Sequence, residues 1–97
     1  MLFTVIRHDK ANKVSLRQSE RPKHLVYLER VMHHIRWGGA ILNDQGQQIG
    51  SILIIDVENR EAAEEFACDD PYVEAGLFES TYISPFHLVF EEGERVG

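Results

Sequence analysis

The chain contains 97 residues, of which 43% are hydrophobic and 27% charged, and its formal net charge is −6. This composition is typical of a globular domain rather than a disordered segment, and the acidic charge argues against a general nucleic-acid binder. The longest apolar run, residues 52–55, is far shorter than a membrane span, so we expect no membrane association. We also expect no signal peptide and, because the single Cys68 cannot form an internal disulfide, a cytoplasmic location. The length predicts one domain over residues 1–97, with a polar tail that frays from about residue 91.

The charges are unevenly distributed along the chain. Residues 7–36 hold eight basic and three acidic side chains, whereas the other residues together hold two basic and thirteen acidic ones. A basic first half indicates either a small anionic ligand or two oppositely charged surfaces that meet in a dimer. A solvated surface of mixed charge is an equally good interpretation of the same distribution.

The beginning of the chain predicts a strand followed by a helix. Leu2–His8 is rich in aromatic and β-branched residues, which favour strands. Pro22 suits the first position of a helix, where its missing N–H costs nothing, and the helical pattern continues to about His33. Residues 15–20 carry only a weak helical signal. Apolar residues at steps of three and four predict the buried face of this helix: Leu25, Leu28 and Met32, flanked by Tyr27 and Val31.

A hairpin is predicted next. Residues 35–43 and 49–57 have strand composition and are separated by a turn at residues 44–46. Gly38 and Gly39 lie inside the first of these strands, which indicates a bulge or a close approach by another group.

The rest of the chain predicts a second helix, a short turn and a last strand. Asn59 is a suitable N-cap for a helix that runs to about Cys68, which is predicted to be a small buried residue. Asp70 is a suitable cap for a short turn that ends at Gly76. The last strand falls within residues 77–90 and is broken by Pro85.

The predicted order of strand, helix, strand, strand, helix, strand is the split βαβ, ferredoxin-like arrangement of an α+β domain. Its antiparallel sheet carries both helices on one face and leaves the other face uncovered. In a chain of this size a second copy is the usual cover. We therefore expect a homodimer, or a higher homo-oligomer, in which two sheets pack face to face as a dimeric α+β barrel.

His24 is the first candidate for chemistry. It is predicted in the first turn of the main helix, on a face shared with Arg21 and Leu28, and with Arg17 if the helix begins earlier. Such a stripe, polar at one end and apolar at the other, can line a pocket. The positive end of the helix would favour the neutral imidazole that a general base requires. A surface histidine is the simpler interpretation, and spacing alone favours it.

Asp70, in the sequence DDPY, is the second candidate. Its structural interpretation is a cap for the turn after Pro71, with Asp69 as a solvated neighbour. A rigidly held aspartate can also orient an imidazole and stabilise its charged form. Spacing along the sequence does not establish whether His24 and Asp70 meet, although the predicted fold places both helices on the same face of the sheet.

No strong catalytic or cofactor motif is present, because the chain lacks a Gly-rich phosphate loop, a CxxC pair, an HExxH motif and a GxSxG motif. His33 and His34 are adjacent, and neighbouring residues rarely point at one ligand. We therefore predict no metal site and no cofactor.

Seven short stretches, in order and over nearly the whole chain, resemble the YciI-like (YCII-related) family of small dimeric α+β barrel proteins. They are RPKHLVYL at 21–28, GGA at 38–40, GQQIGS at 46–51, AAEEF at 62–66, DDPY at 69–72, AGLF at 75–78 and ISPF at 83–86. One departure is Gly39-Ala40, where many relatives have Gly-Pro, and it weakens the transfer of a substrate from one family branch to another.

The resemblance implies a ferredoxin-like protomer, a dimer built sheet to sheet, and a pocket in which His24 and Asp70 form an acid/base pair. One branch of the family resembles muconolactone isomerases and includes a dehalogenating enzyme of aromatic degradation. The substrate-binding positions that the resemblance implies are Arg17, Arg21, Asp9 and Ser51.

Three hypotheses about function stay open at this point. The first is a small-molecule enzyme of lyase, isomerase or dehalogenase type that acts on an anionic or enolisable substrate. The second is a non-catalytic module that binds an anionic metabolite or a partner protein. The third is an oxygenase or haem-handling protein of the same barrel class, to which the single Trp37 gives little support.

Overall fold

The computed structural model describes all 97 residues. Its main elements are β1 (Leu2–Asp9), α1 (Val14–Val31), β2 (Ile35–Leu42), β3 (Gln48–Asp56), α2 (Arg60–Cys68), α3 (Pro71–Glu74) and β4 (Phe78–Pro85). A short 3₁₀ turn, Met32–His34, links α1 to β2, and a small hairpin of β5 (Phe90–Glu91) and β6 (Glu94–Arg95) follows β4. The predicted four strands and two main helices are therefore present.

The four long strands form one antiparallel sheet in the order β2-β3-β1-β4. The helices lie on one face of this sheet, so the molecule has the ferredoxin-like arrangement that the element order predicts. Strands β1 and β3 occupy the two central positions, which is why their side chains reach the buried core. No helix in the structure is both long and apolar enough to span a bilayer.

Side chains on β1 alternate between the two faces of the sheet. Phe3, Val5 and Arg7 face the helices and are almost completely buried. Phe3 and Val5 belong to the main apolar cluster, which also contains Ile55 of β3 and Phe66 of α2. Arg7 continues the same row, so a charged side chain occupies a core position beside this cluster.

Helix α1 begins at Val14, which is eight residues before the predicted start at Pro22. Pro22 lies inside the helix, where it has no N–H to donate to the preceding turn. The early turns are anchored instead by Arg17, whose side chain donates to Asp9 and whose carbonyl accepts a hydrogen bond from the Tyr72 hydroxyl. These tertiary contacts offset the proline, and the local pattern contains no sign of them.

The earlier start changes the setting of His24 and the buried face of α1. His24 lies in the middle of the helix, so the argument that the helix dipole favours a neutral imidazole does not apply. Tyr27, predicted at the flank, is the buried apolar residue of α1, and its hydroxyl donates to the carbonyl of Phe66 and ties α1 to α2. Leu25 and Met32, predicted to be buried, are exposed.

The second half of the chain follows the prediction more closely. Asn59 Oδ1 accepts a hydrogen bond from the amide of Ala62 at 2.9 Å, as expected for the N-cap of α2. Cys68, predicted to be buried, is exposed because it ends α2 outside the packed stripe of that helix. The residues after 90, predicted to fray, form the β5–β6 hairpin.

The face of the sheet opposite the helices carries apolar side chains. We call it the open face and define it by Ile6, Trp37, Ile52, Ile54 and Tyr82, which the strand register places on one side. Trp37, Ile52 and Tyr82 are exposed there. No helix lies over this surface, as expected for a ferredoxin-like protomer.

Candidate active site

Asp70 is held at the start of α3 by the hydrogen bonds that it accepts. Its Oδ1 accepts from the amide of Tyr72 at 2.9 Å, in the capping geometry that the sequence DDPY predicts. Its Oδ2 accepts from Nη1 of Arg7, also at 2.9 Å. Because both oxygens are bound and the residue is only 4% exposed, the carboxylate has a fixed orientation.

His24 reaches the same carboxylate from α1. Its Nδ1 lies 2.9 Å from Oδ1 of Asp70, and its side chain is 15% exposed. Because an ionised carboxylate can only accept, Nδ1 must carry the hydrogen of this contact. In the neutral imidazole the lone pair is then on Nε2, which leaves that nitrogen for a molecule outside the pair. The structure thus brings together the two residues that sequence spacing could not connect.

The surroundings of Asp70 favour its ionised form. Burial would raise the pKa of this carboxyl, but hydrogen bonds from His24 and the Tyr72 amide, with the charges of His24 and Arg7, hold it below its usual value. Burial lowers the pKa of Arg7, and the attraction of Asp70 opposes this effect. The guanidinium nevertheless remains charged. Asp70 and Arg7 therefore form a buried ion pair behind the imidazole.

Arg7 supports Asp70 from the central strand β1. It is 2% exposed, and its Nη2 donates to the carbonyl of Ala67 at 2.9 Å. Its guanidinium carbon lies 4.7 Å from the ring centroid of Phe78, a cation–π distance. Its Nε is buried without a hydrogen-bond partner. Arg7 has no local sequence motif that predicts a site residue; its one signal is a charged residue in the same alternating row as Phe3 and Val5.

Tyr72 fixes the plane of the imidazole. The His24 and Tyr72 rings are stacked, with centroids 4.0 Å apart and an angle of 17° between their planes. Tyr72 is itself buried, and its ring also contacts the guanidinium of Arg17 at 4.9 Å. Tyr72 was missed as a site residue, although it directly follows the capping Asp70 and Pro71. The imidazole is consequently held by both a hydrogen bond and a stacking contact.

Arg17 and Asp9, both predicted to bind substrate, bind each other. Arg17 Nε donates to Asp9 Oδ2 at 2.7 Å and Nη2 donates to Oδ1 at 3.1 Å, and both side chains are at most 5% exposed. This bidentate pair joins the end of β1 to the beginning of α1. Asp9 is therefore a partner of Arg17 in the structure. The third nitrogen of the Arg17 guanidinium, Nη1, makes no hydrogen bond within the chain.

A cavity of about 390 Å³ lies between α1 and the sheet. We call it the main cavity. It brings together every predicted site residue except Asp9. Its charged and polar lining consists of Arg7, Arg17, Arg21, His24, Gln48, Ser51 and Asp70.

The lining of the main cavity suits a small anionic molecule. Three arginines border it, of which Arg7 is paired with Asp70 and Arg17 with Asp9, so that Arg21 carries the unpaired positive charge. Apolar side chains such as Leu28 and Leu53 complete the lining. Arg21 is exposed, and its Nη1 lies 3.4 Å from Gln48 Oε1, so most of its donors are open to a ligand. No group of three or more His, Cys, Asp or Glu side chains is arranged to hold a metal ion.

The chain is similar to a family of known domains and to solved structures. Residues 1–87 match the model of the YCII-related domain. Protein YciI of Escherichia coli O6:H1 and of Shigella flexneri is 36% identical over 98 residues, which covers 93% of this chain and 100% of the relative. The 5-chloro-2-hydroxyhydroquinone dehydrochlorinase (TftG) of Burkholderia phenoliruptrix AC1100, in complex with 2,5-dihydroxybenzoquinone, superposes with a TM-score of 0.83 at 32% identity. That match covers 90% of this chain and 94% of the dehydrochlorinase.

Proposed function

The chain belongs to the YCII-related domain family, and we propose that it is a cytoplasmic small-molecule enzyme that uses His24 and Asp70 for acid–base catalysis. The reaction is of the lyase, isomerase or dehalogenase type, in which a proton is removed from an anionic or enolisable substrate and returned to it. The 2.9 Å contact between His24 Nδ1 and Asp70 Oδ1, at a cavity bordered by arginines, carries this proposal.

Each partner has a defined part in the proton transfer. Nε2 of His24 accepts the proton, and the ring then carries a positive charge. Asp70 stabilises that charge through Nδ1 and keeps the neutral ring in the tautomer with a free Nε2. Arg7 and Tyr72 are positioning residues, because they act on Asp70 and on the imidazole plane.

The substrate class follows from the basic lining and from the ligand of the dehydrochlorinase. That protein is in complex with 2,5-dihydroxybenzoquinone, a flat ring that carries several oxygen atoms. We expect Arg21 to bind an enolate or carboxylate oxygen and the Ser51 hydroxyl to contact the substrate from the sheet side, because both residues line the main cavity. The Arg17 Nη1 group adds a further donor.

The proposed step balances without an oxidant or a cofactor. His24 removes a proton from a hydroxyl of the enol form and delivers it to a ring carbon, which gives the keto tautomer. If that carbon bears a halogen, the halide leaves with its bonding electron pair while a second hydroxyl loses its proton. The net change is the loss of one hydrogen halide. Without the loss of halide, the proton transfer to carbon alone is an isomerisation.

Deuterium exchange tests the proton transfer without knowledge of the natural substrate. We expect the protein to accelerate exchange of the ring hydrogens of 2,5-dihydroxybenzoquinone in D₂O, as followed by proton NMR. His24→Gln keeps a polar side chain but removes the base, so the accelerated rate should fall about 10²–10⁴-fold. Chloride release from 5-chloro-2-hydroxyhydroquinone is the matching assay for elimination.

His33→Gln is the control for this experiment, because His33 is an exposed histidine outside the main cavity. It should leave the exchange rate unchanged. A folded His24→Gln protein that exchanges as fast as the wild type would overturn the mechanism. Binding of the quinone with no accelerated exchange in the wild type would instead favour a non-catalytic binding module.

The same proposal includes a homodimer. The open face exposes Trp37, Ile52 and Tyr82, and several large apolar side chains exposed on one sheet face are typical of an interaction surface. Pairing of two open faces would cover these side chains and give the α+β barrel that the family resemblance implies. The main cavity lies on the other face of the sheet, so this pairing would leave it accessible.

A further inference from the structure

A second depression, of about 340 Å³, adjoins the main cavity. We call it the hairpin groove, because it lies between α1 and the turn that joins β2 to β3. Its polar lining comes from Arg17, Gln18 and Arg21 of α1 and from residues 46–48 of the hairpin. Arg17, Arg21 and Gln48 border both spaces. A molecule held at His24 therefore has a basic extension beside it.

The turn that forms one wall of the groove is fixed by Asn43. Its Oδ1 accepts from the amides of Gln45 at 3.0 Å and Gln47 at 2.9 Å, so its Nδ2 must be a donor. That Nδ2 donates to Oε1 of Gln47 at 2.9 Å. The oxygen of the Gln47 side chain is thus already bound, and its Nε2 is left as a donor.

The neighbouring side chains present donors as well. Gln48 uses its Oε1 to accept from Arg21, which leaves its own Nε2 free. Arg17 uses Nε and Nη2 for Asp9 and keeps Nη1. No acidic side chain lines the groove, and the exposed Gln18 can turn its amide toward a ligand. The groove therefore offers the unpaired charge of Arg21, the remaining donor of Arg17, whose charge is paired with Asp9, and amide donors whose acceptor oxygens are largely bound within the chain.

A site that offers donors and positive charge is complementary to a group that only accepts hydrogen bonds and is negatively charged. We propose that the hairpin groove binds a carboxylate of the substrate while the reacting ring lies beside His24. This inference rests on the proposed function and narrows its substrate class to an enolisable ring that carries a side-chain carboxylate. Gln47 is then a specificity-determining residue, because it lines the groove but not the main cavity.

The test compares probes that share one dihydroxylated ring and either lack or carry a carboxylate side chain. Hydroquinone supplies the ring alone, whereas 2,5-dihydroxyphenylacetate and 3-(2,5-dihydroxyphenyl)propanoate add a carboxylate on one or two methylene groups. Dissociation constants are measured by titration calorimetry. We expect at least one carboxylated probe to bind the wild type about tenfold more tightly than hydroquinone, as charge-assisted hydrogen bonds predict.

Gln47→Glu is the decisive variant. A glutamate at this position still offers an oxygen to Asn43 Nδ2, so the turn is retained, but the free donor becomes a negatively charged acceptor. We expect this variant to lose the tenfold gain and to bind hydroquinone as the wild type does. Gln45→Glu is the matched control, because it adds the same charge to the same turn outside the groove, and it should keep the gain.

Three outcomes would each overturn the proposal. One is that neither carboxylated probe binds the wild type more tightly than hydroquinone. The other two are that Gln47→Glu keeps the gain, and that Gln45→Glu loses as much of it, since the effect would then be general electrostatics. A failure of the proposed acid–base function would be detected in a different experiment, as unchanged deuterium exchange in His24→Gln. That result would not affect the proposal that the groove binds a carboxylate.

Discussion

Arg7 places a permanent positive charge in the core, directly behind the carboxylate that holds His24. Charge burial is unfavourable unless the charge is paired and its donors are satisfied. Here Asp70 supplies the opposite charge, the Ala67 carbonyl accepts a second hydrogen bond, and the Phe78 ring covers the guanidinium, which leaves only Nε without a partner. The ion pair thus fixes the position of Asp70, and the stability of this buried carboxylate depends on Arg7.

Replacement of that arginine should be strongly destabilising. Arg7→Met fills a similar volume but leaves a buried carboxylate without its main cation. We expect the free energy of unfolding in urea to fall by about 3–5 kcal/mol. Arg36→Met is the control, because Arg36 forms an exposed pair with Asp56, and its cost should stay below about 1 kcal/mol. Equal losses in the two variants would contradict the structural role assigned to Arg7.

At this scale the sequence predicted the two reactive candidates but not their supports. His24 and Asp70 are visible because a histidine on a helix face and a capping aspartate have local signatures. Arg7 and Tyr72 have no such local signature. The role of Arg7 depends on the strand register, and that of Tyr72 depends on stacking with His24, which is 48 residues away in the chain. Arg17 and Asp9 are predicted site positions, but the ion pair between them arises from the tertiary structure and has no signature in the sequence.

Helix α1 shows how a local rule is overridden by packing. A proline in a helix interior usually costs about 3 kcal/mol relative to alanine, and this cost made Pro22 a natural helix start in the prediction. The Arg17–Asp9 pair and the Tyr72 hydroxyl hold the turns before it in helical form. The caps at Asn59 and Asp70 were predicted correctly because a cap is decided by residues within one turn.

Pro22→Ala tests whether α1 tolerates its proline or needs it. Alanine restores the N–H that the helix lacks, while the unfolded chain gains some freedom. We expect the free energy of unfolding to rise by about 2 kcal/mol. Lys23→Ala, at the exposed neighbouring position, should change it by less than about 0.5 kcal/mol. A loss of stability in Pro22→Ala would show that the proline shapes the helix around His24.

Across the whole molecule, one sheet separates two surfaces of different character. The helix side holds the charged main cavity, and the open face holds exposed apolar side chains. The sequence predicted this layout because the order of elements restricts the topology to few choices. A pocket at His24 was predicted, but its shape and the adjoining groove could not be, because they depend on where α1 begins and on the turn held by Asn43.

Association through the open face is tested by a charge at its centre. Ile52→Asp should shift the measured mass from that of two chains to that of one, because a buried unpaired carboxylate opposes sheet-to-sheet contact. The mass is measured by light scattering during size-exclusion chromatography. Val26→Asp places the same charge on exposed α1 and should leave the assembly intact. A wild-type protein that runs as a single chain at micromolar concentration would contradict the dimer.

Strand β3 serves both surfaces with alternate residues. Ser51 and Leu53 border the main cavity, whereas Ile52 and Ile54 belong to the open face. Point substitutions in this strand can therefore change the lining of the main cavity and the open face independently of each other. Deletion of one residue within the strand has the opposite effect, since it exchanges the two sets of side chains at once.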